Sequence, residues 1–341
     1  MQIRMTVGSV AFALLLWAAL AGSAALAGPA GLEAQVTGPA PDGGRWPLQP
    51  RAPGNRYLAP FMEGWYENED GTYSISFGYL NANEDTIYIP LGPDNFIEPA
   101  QFDGMQPTVF VPGHPRGLFT VTLPAAMRDQ DVWWTLRKAN GDVTRVPGRV
   151  TSNAYQLDWV PRPHGSLPPS VSFDSQSGVG RGPPGIMAER TQTVAVGSPL
   201  TLSVNTTDPS ERDSEDFRFR EAIALRVVWS QLQGPGRVEY TRHESNPLPE
   251  VEEEEEPDSA AAAAIAAGGP AAAAARRQRE PPGPEVIPLS GGYGTGRVIV
   301  TFSEPGEYLM LAQVDNFGAP DSSSGNQCCW TNGYVRVTVT P

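Results

Sequence analysis

The run "TYSISFGYL" constrains this chain more than any other stretch. Tyr73, Ile75, Phe77 and Tyr79 fall on one face, and Ser74, Ser76 and Gly78 on the other. A period of two belongs to a strand with one buried side. Short runs of similar character follow: "TIYIPL", "PTVFVP", "LFTVTLP", "VWWTLR", "VTRVPGRV" and "YQLDWV". Asp70-Gly71 and Asn140-Gly141 accept the positive φ of tight hairpins between them. With 36 Gly and 35 Pro, the chain is punctuated for strands rather than long helices. Residues 57–160 are therefore expected to form a β-sandwich of seven or eight strands.

Residues 161–190 are rich in Pro, Gly and Ser and read as a linker. Alternation resumes at 191. Val194 and Val196 precede a turn at Gly197, then Leu200, Leu202 and Val204 alternate. Ile223, Leu225, Val227 and Trp229 share one face before the corner "GPG". "RVIVTFSEPGEYLMLAQVDN" and "GYVRVTVTP" supply the closing strands.

The motifs "TVAVGSPLTLSV", "VVWSQLQGPGRVEY" and "VTFSEPGEYLMLAQVDN" resemble the polycystic-kidney-disease (PKD) type of immunoglobulin-like domain found in exported bacterial proteins. The resemblance covers 191–341 and implies adhesion, spacing or presentation rather than chemistry. It implies that Trp229 fills the space between two sheets and that Tyr308 forms a tyrosine corner. Two residues past that tyrosine stands Met310, not cysteine, so the inter-sheet disulfide of antibody domains is missing. The family pattern is interrupted at about 245–288 by "PEVEEEEEPDSAAAAAIAAGGPAAAAARRQREPPGPE", an acidic, alanine-rich insertion expected to be disordered. The fold class expected is all-β: two tandem Ig-like sandwiches, the second carrying this insertion.

The N-terminus reads as a secretory signal over 1–27, with Arg4, an apolar run from Val7 to Leu20 and a small-residue cleavage site. The apolar run is shorter than a membrane span requires. Residues 28–56 read as an extended leader. The protein is thus expected to be exported, periplasmic or extracellular, with no membrane span after signal cleavage. A formal net charge of -14 argues against nucleic acid as a partner. The partner expected is a protein or glycan at the cell surface.

Enzymatic signatures are absent from the sequence. It has no G-x-S-x-G, H-E-x-x-H, phosphate-binding loop or dinucleotide fingerprint. His114, His164 and His243 are scattered and read as solvated loop residues. "TDPSERDSEDF" gathers acids, and Asp208, Asp213 and Asp216 are calcium candidates, although the order of a defined calcium loop is lacking. On "DVWWTLRK", alternation turns Trp133 and Arg137 outward, a pair suited to a sugar ring or a peptide.

Cys328 and Cys329 are the only two cysteines, and they are adjacent. They lie in the connection between the last two strands, which is a binding loop in variable Ig domains. Four states are open: a vicinal disulfide, a reduced buried pair, a bridge to a second chain, or a thiolate site for a soft metal such as Cu(I). The loop Cys328–Trp330 is the preferred contact site. The leading expectation is a non-enzymatic binding or scaffolding protein. The alternative is a carbohydrate-binding or redox/metal-linked accessory protein, and a hydrolase comes third.

Overall fold

The structure, a computed structural model, describes residues 56–151, 153–157, 165–174, 178–247, 282–322 and 328–341. The expected signal peptide, most of the leader, and residues 248–281 of the insertion lie outside them. The described residues belong to one compact unit, 52–341. No α-helix occurs among them; strands are joined by turns and short 3-10 segments.

The first sandwich contains β1 (Leu58–Glu67), β2 (Tyr73–Asn81), β3 (Ile87–Tyr88), β4 (Asn95–Glu98), β5 (Val109–Phe110), β6 (Phe119–Leu123), β7 (Val132–Arg137) and β8 (Val143–Gly148). They pair as β1-β2-β6, β4-β7-β8 and the short pair β3-β5. The alternation in "TYSISFGYL" places Ile75, Phe77 and Tyr79 in the core. Trp134 meets Phe77 and Phe119 edge-on, with centroids at 6.1 and 5.1 Å. Its Nε1–H donates to Asn95 Oδ1, so this buried indole is satisfied. The described part of "YQLDWV", residues 155–157, makes no strand: Asn153–Tyr155 is a 3-10 turn, and Gln156 only bridges Trp65, while 158–160 lie outside the described residues.

The second sandwich contains β9 (Ser170–Ser172), β10 (Ile186–Met187), β11 (Gln192–Ala195), β12 (Leu200–Thr207), β13 (Leu225–Gln233), β14 (Val238–Arg242), β15 (Val286–Leu289), β16 (Tyr293–Phe302), β17 (Gly306–Asp315) and β18 (Trp330–Thr340). One sheet runs β14-β16-β12-β9, the other β10-β18-β17-β13-β15, with β11 also beside β18. This is the strand arrangement of an Ig-like sandwich. Trp229 lies in its core. Tyr308 forms the tyrosine corner, its hydroxyl donating to Glu304 O and accepting from Gly236 N.

Two strands fall where a linker was expected. β9 pairs with β12 and buries Val171, and β10 pairs in parallel with β18. The prolines and glycines of 178–185 therefore turn the chain between two sheet edges. The last residues of the expected insertion, from Val286, belong to β15.

Candidate functional site

The two sandwiches are joined through β17 and β18. Tyr308, Met310, Ala312 and Val314 face the core of the second sandwich. Leu309 and Leu311 on the opposite face enter the core of the first, together with Leu232 and Tyr334. A strand buried on both faces reads as a continuous apolar run, and "YLMLA" is one. Each of these leucines contributes roughly 2 kcal/mol by leaving water.

Polar bonds fix the register of this contact. The loop 113–118 is tied to β2 by paired Gly113 and Asn81 backbone bonds, by Tyr79 N–H to Pro115 O, and by Leu118 N–H to Phe77 O. A Cβ at Gly78 would stand 2.6 Å from Pro115 O, so glycine lets the loop lie flat on the strand. The loop then offers its carbonyls to the second sandwich. Trp330 Nε1 and Asn332 Nδ2 donate to Gly117 O at 3.2 and 2.7 Å. Tyr334 Oη donates to Leu118 O at 3.1 Å, and Gln313 Nε2 to Arg116 O at 3.0 Å. Low-dielectric surroundings make such a satisfied set rigid.

The cysteines open this element. Cys328 and Cys329 form a vicinal disulfide with Cα atoms 3.7 Å apart. No cysteine is free, which removes the reduced, intermolecular and metal-thiolate alternatives. Cys329 has φ +83°, the one positive φ outside glycine among the described residues. Its carbonyl accepts from Asn316 N–H, and its Sγ lies 3.4 Å from Ser166 O. The ring thus sits at the turn that delivers Trp330 to Gly117.

The stretch Cys328–Trp330, expected to be the preferred contact site, is buried. Cys328, Cys329 and Trp330 are 6, 1 and 2% exposed. Ser166, in the segment between the sandwiches, lies over the two sulfurs, and Gly117 of the first sandwich lies over Trp330.

Beside the covered face remains an open cleft of about 1120 Å³. Its walls include Tyr88, Val111 and Arg116 from the first sandwich and Arg226, Val228 and Gln313 from the second. Tyr88 and Val111 are 43 and 44% exposed. Arg226 donates through Nε and Nη2 to Asp315 Oδ2. Burial raises the Asp315 carboxyl above its ordinary range, against the pull of Arg226.

A buried acid lies under the cleft's rim. Glu63, at a bulge in β1 between Met62 and Gly64, has a side chain only 8% exposed. Burial pushes its carboxyl up to about 7, with Arg116 opposing. Its Oε1 is 3.3 Å from His114 Nε2, and its Oε2 3.9 Å from Arg116 Nη1. Burial, then the charge of Arg116, lower the His114 pKa. His114 is therefore a partly buried rim residue tilted against Phe61 with ring centroids 4.9 Å apart, not a solvated one. Sequence reasoning missed Glu63; the available signal was a lone acid inside the apolar run "APFMEGWY".

The other candidates lie elsewhere. Trp133 faces outward on β7, but Arg145 stacks over it at 3.9 Å. Arg137 pairs with Asp94 at 3.4 Å. The calcium candidates are occupied by neighbouring groups. Arg212 takes Asp208 Oδ2 at 2.7 Å, Arg218 takes both oxygens of Asp216, and Asp213 Oδ1 accepts from Glu215 N–H. Arg212 also binds Asp321 and Ser166 Oγ in a buried network tying three segments together. No group of three or more His, Cys, Asp or Glu is placed to share a metal ion among the described residues.

No family model and no curated protein sequence matches the chain. Among solved structures it is similar to the D0–D1 domains of intimin, at 12% identity, covering 83% of this chain and 97% of that one, with a TM-score of 0.22. The D00–D0 domains of intimin match at 12% identity, 83% and 100% coverage and a TM-score of 0.22. Red sea bream transglutaminase matches at 8% identity, 84% and 31% coverage and a TM-score of 0.20. At these scores the Ig-like assignment rests on the strand order and the tyrosine corner.

Proposed function

We propose that this is an exported, non-enzymatic binding module that receives a cell-surface protein segment in the cleft between its two sandwiches. The observation carrying this reading is the cleft: open, about 1120 Å³, and walled by both sandwiches. Arg226 and Arg237 line it along with Glu84, Asp85 and Glu285. Both signs of charge beside exposed Tyr88 and Val111 suit a polypeptide better than a polyanion. The disulfide supports an oxidising compartment outside the cytoplasm. We also read the second sandwich as PKD-type, on Trp229-Ser230 followed by Gly234-Pro235-Gly236, and on the Tyr308 corner.

The test fills the cleft. Val228→Arg with Ser230→Trp should abolish retention on cell envelopes of the source organism without changing the melting temperature. Unchanged retention would remove the cleft from the account. Retention abolished by glycan digestion of the envelopes, but not by protease, would make the partner a glycan.

A further inference from the structure

The loop 113–118 has two roles: its carbonyls hold the second sandwich, and His114 and Arg116 line the cleft. Beneath it, Glu63 Oε1 and His114 Nε2 are both buried, and neither has a well-directed hydrogen bond. They are 3.3 Å apart, close but off the axis of the ring N–H. Buried polar atoms left in this way call for an explanation. The χ2 torsion of histidine is broad, so a small ring rotation suffices to align the two atoms around one proton. Two titratable groups from the loop face Glu63, namely His114 and the cationic Arg116. The neighbouring strand β2 contributes the uncharged Gly78, whose missing Cβ leaves room for the carboxylate. Phe61, from Glu63's own strand, packs its ring at a tilt against His114.

We propose that Glu63 is a proton-operated catch beneath the cleft rim. Ionised, it holds Arg116 from below. On taking up a proton it bonds instead to neutral His114 and no longer offsets the Arg116 charge beside the cleft. The proton comes from solvent, no covalent bond changes, and the cleft becomes more cationic on the acid side of neutrality. The direction of both pKa shifts agrees with this, since burial favours protonated Glu63 and neutral His114. The raised carboxyl titrates near neutral pH, where a catch of this kind responds to modest acidification.

The test needs no ligand. Amide hydrogen exchange of the full protein is measured at about pH 5.5 and about pH 8, corrected for intrinsic rates. The loop 113–118 in the wild type should change protection by about fivefold or more between the two, while Glu63→Gln keeps the acid-side protection at both. Equal wild-type protection at the two pH values overturns the proposal, as does a Glu63→Gln protein that changes as the wild type does. Imidazole nitrogen NMR of the wild type gives a reading independent of the variant's folding. His114 neutral at about pH 5.5, with its proton on Nδ1, is the result expected; an imidazolium there contradicts the catch.

Discussion

Trp330 lays its indole against Gly117, donating Nε1–H to the glycine carbonyl at 3.2 Å, and a Cβ at 117 would stand 2.5 Å from the ring. Gly117 also has φ +61°, where an L side chain is unfavourable. Gly117→Ala therefore combines a left-handed backbone penalty with a steric overlap in a buried contact. The expected loss is of order 2–4 kcal/mol, read as a lower urea midpoint. A loss below about 0.5 kcal/mol would mean that the contact does not hold the sandwiches together.

Glu63 gives a pH-dependent stability with a definite sign. Its folded pKa is raised to about 7 from 4.5. Between these values the folded state binds more protons than the unfolded one, so this group's contribution is full below 4.5 and is lost as pH rises through about 7. The ionised carboxylate is worth roughly 3 kcal/mol of penalty at alkaline pH. Glu63→Gln should thus stabilise the protein at about pH 8 and leave it nearly unchanged at about pH 4. Denaturant titration at both values checks the difference, and an equal effect at each would contradict the assignment.

Arg212 sits between Asp208 and Asp321, and all three side chains are at least nine-tenths buried or close to it. Arg212→Met would leave two carboxylates unpaired and should cost about 3–5 kcal/mol. Adding Asp208→Asn and Asp321→Asn should recover part of that loss. No recovery would mean that packing, not charge, carries the effect of Arg212.

The same arginines predict the response to calcium. With Asp208 and Asp216 engaged by Arg212 and Arg218, millimolar calcium should leave the melting temperature unchanged. A rise of more than about 2 °C would restore the metal reading of this loop.

Legibility in the sequence followed physical range. Period-two runs such as "TYSISFGYL" and the turn dipeptides expose strands, because those signals act between near neighbours. "TIYIPL" and "PTVFVP" shrink to Ile87–Tyr88 and Val109–Phe110, since no adjacent strand extends their pairing. The Trp229 core position and the Tyr308 corner were implied by the resemblance to PKD-type domains. The orientation of Trp330 was not. Its burial depends on carbonyls more than two hundred residues earlier, and nothing local to "CCWTNGY" marks which face is covered. The doubly apolar "YLMLA" did carry that information in part. The calcium candidates were read without the partners that the fold gives Asp208 and Asp216, namely Arg212 and Arg218. Glu63 was hidden by its environment: burial raises its carboxyl against the pull of Arg116, and the groups that face it come from the distant 113–118 loop.

Strands β17 and β18 fuse the two sandwiches into one body and so create the cleft. Scanning calorimetry of the oxidised protein tests it most directly. One transition is expected, with calorimetric and van't Hoff enthalpies in agreement. Two separable transitions, one for each sandwich, would contradict it.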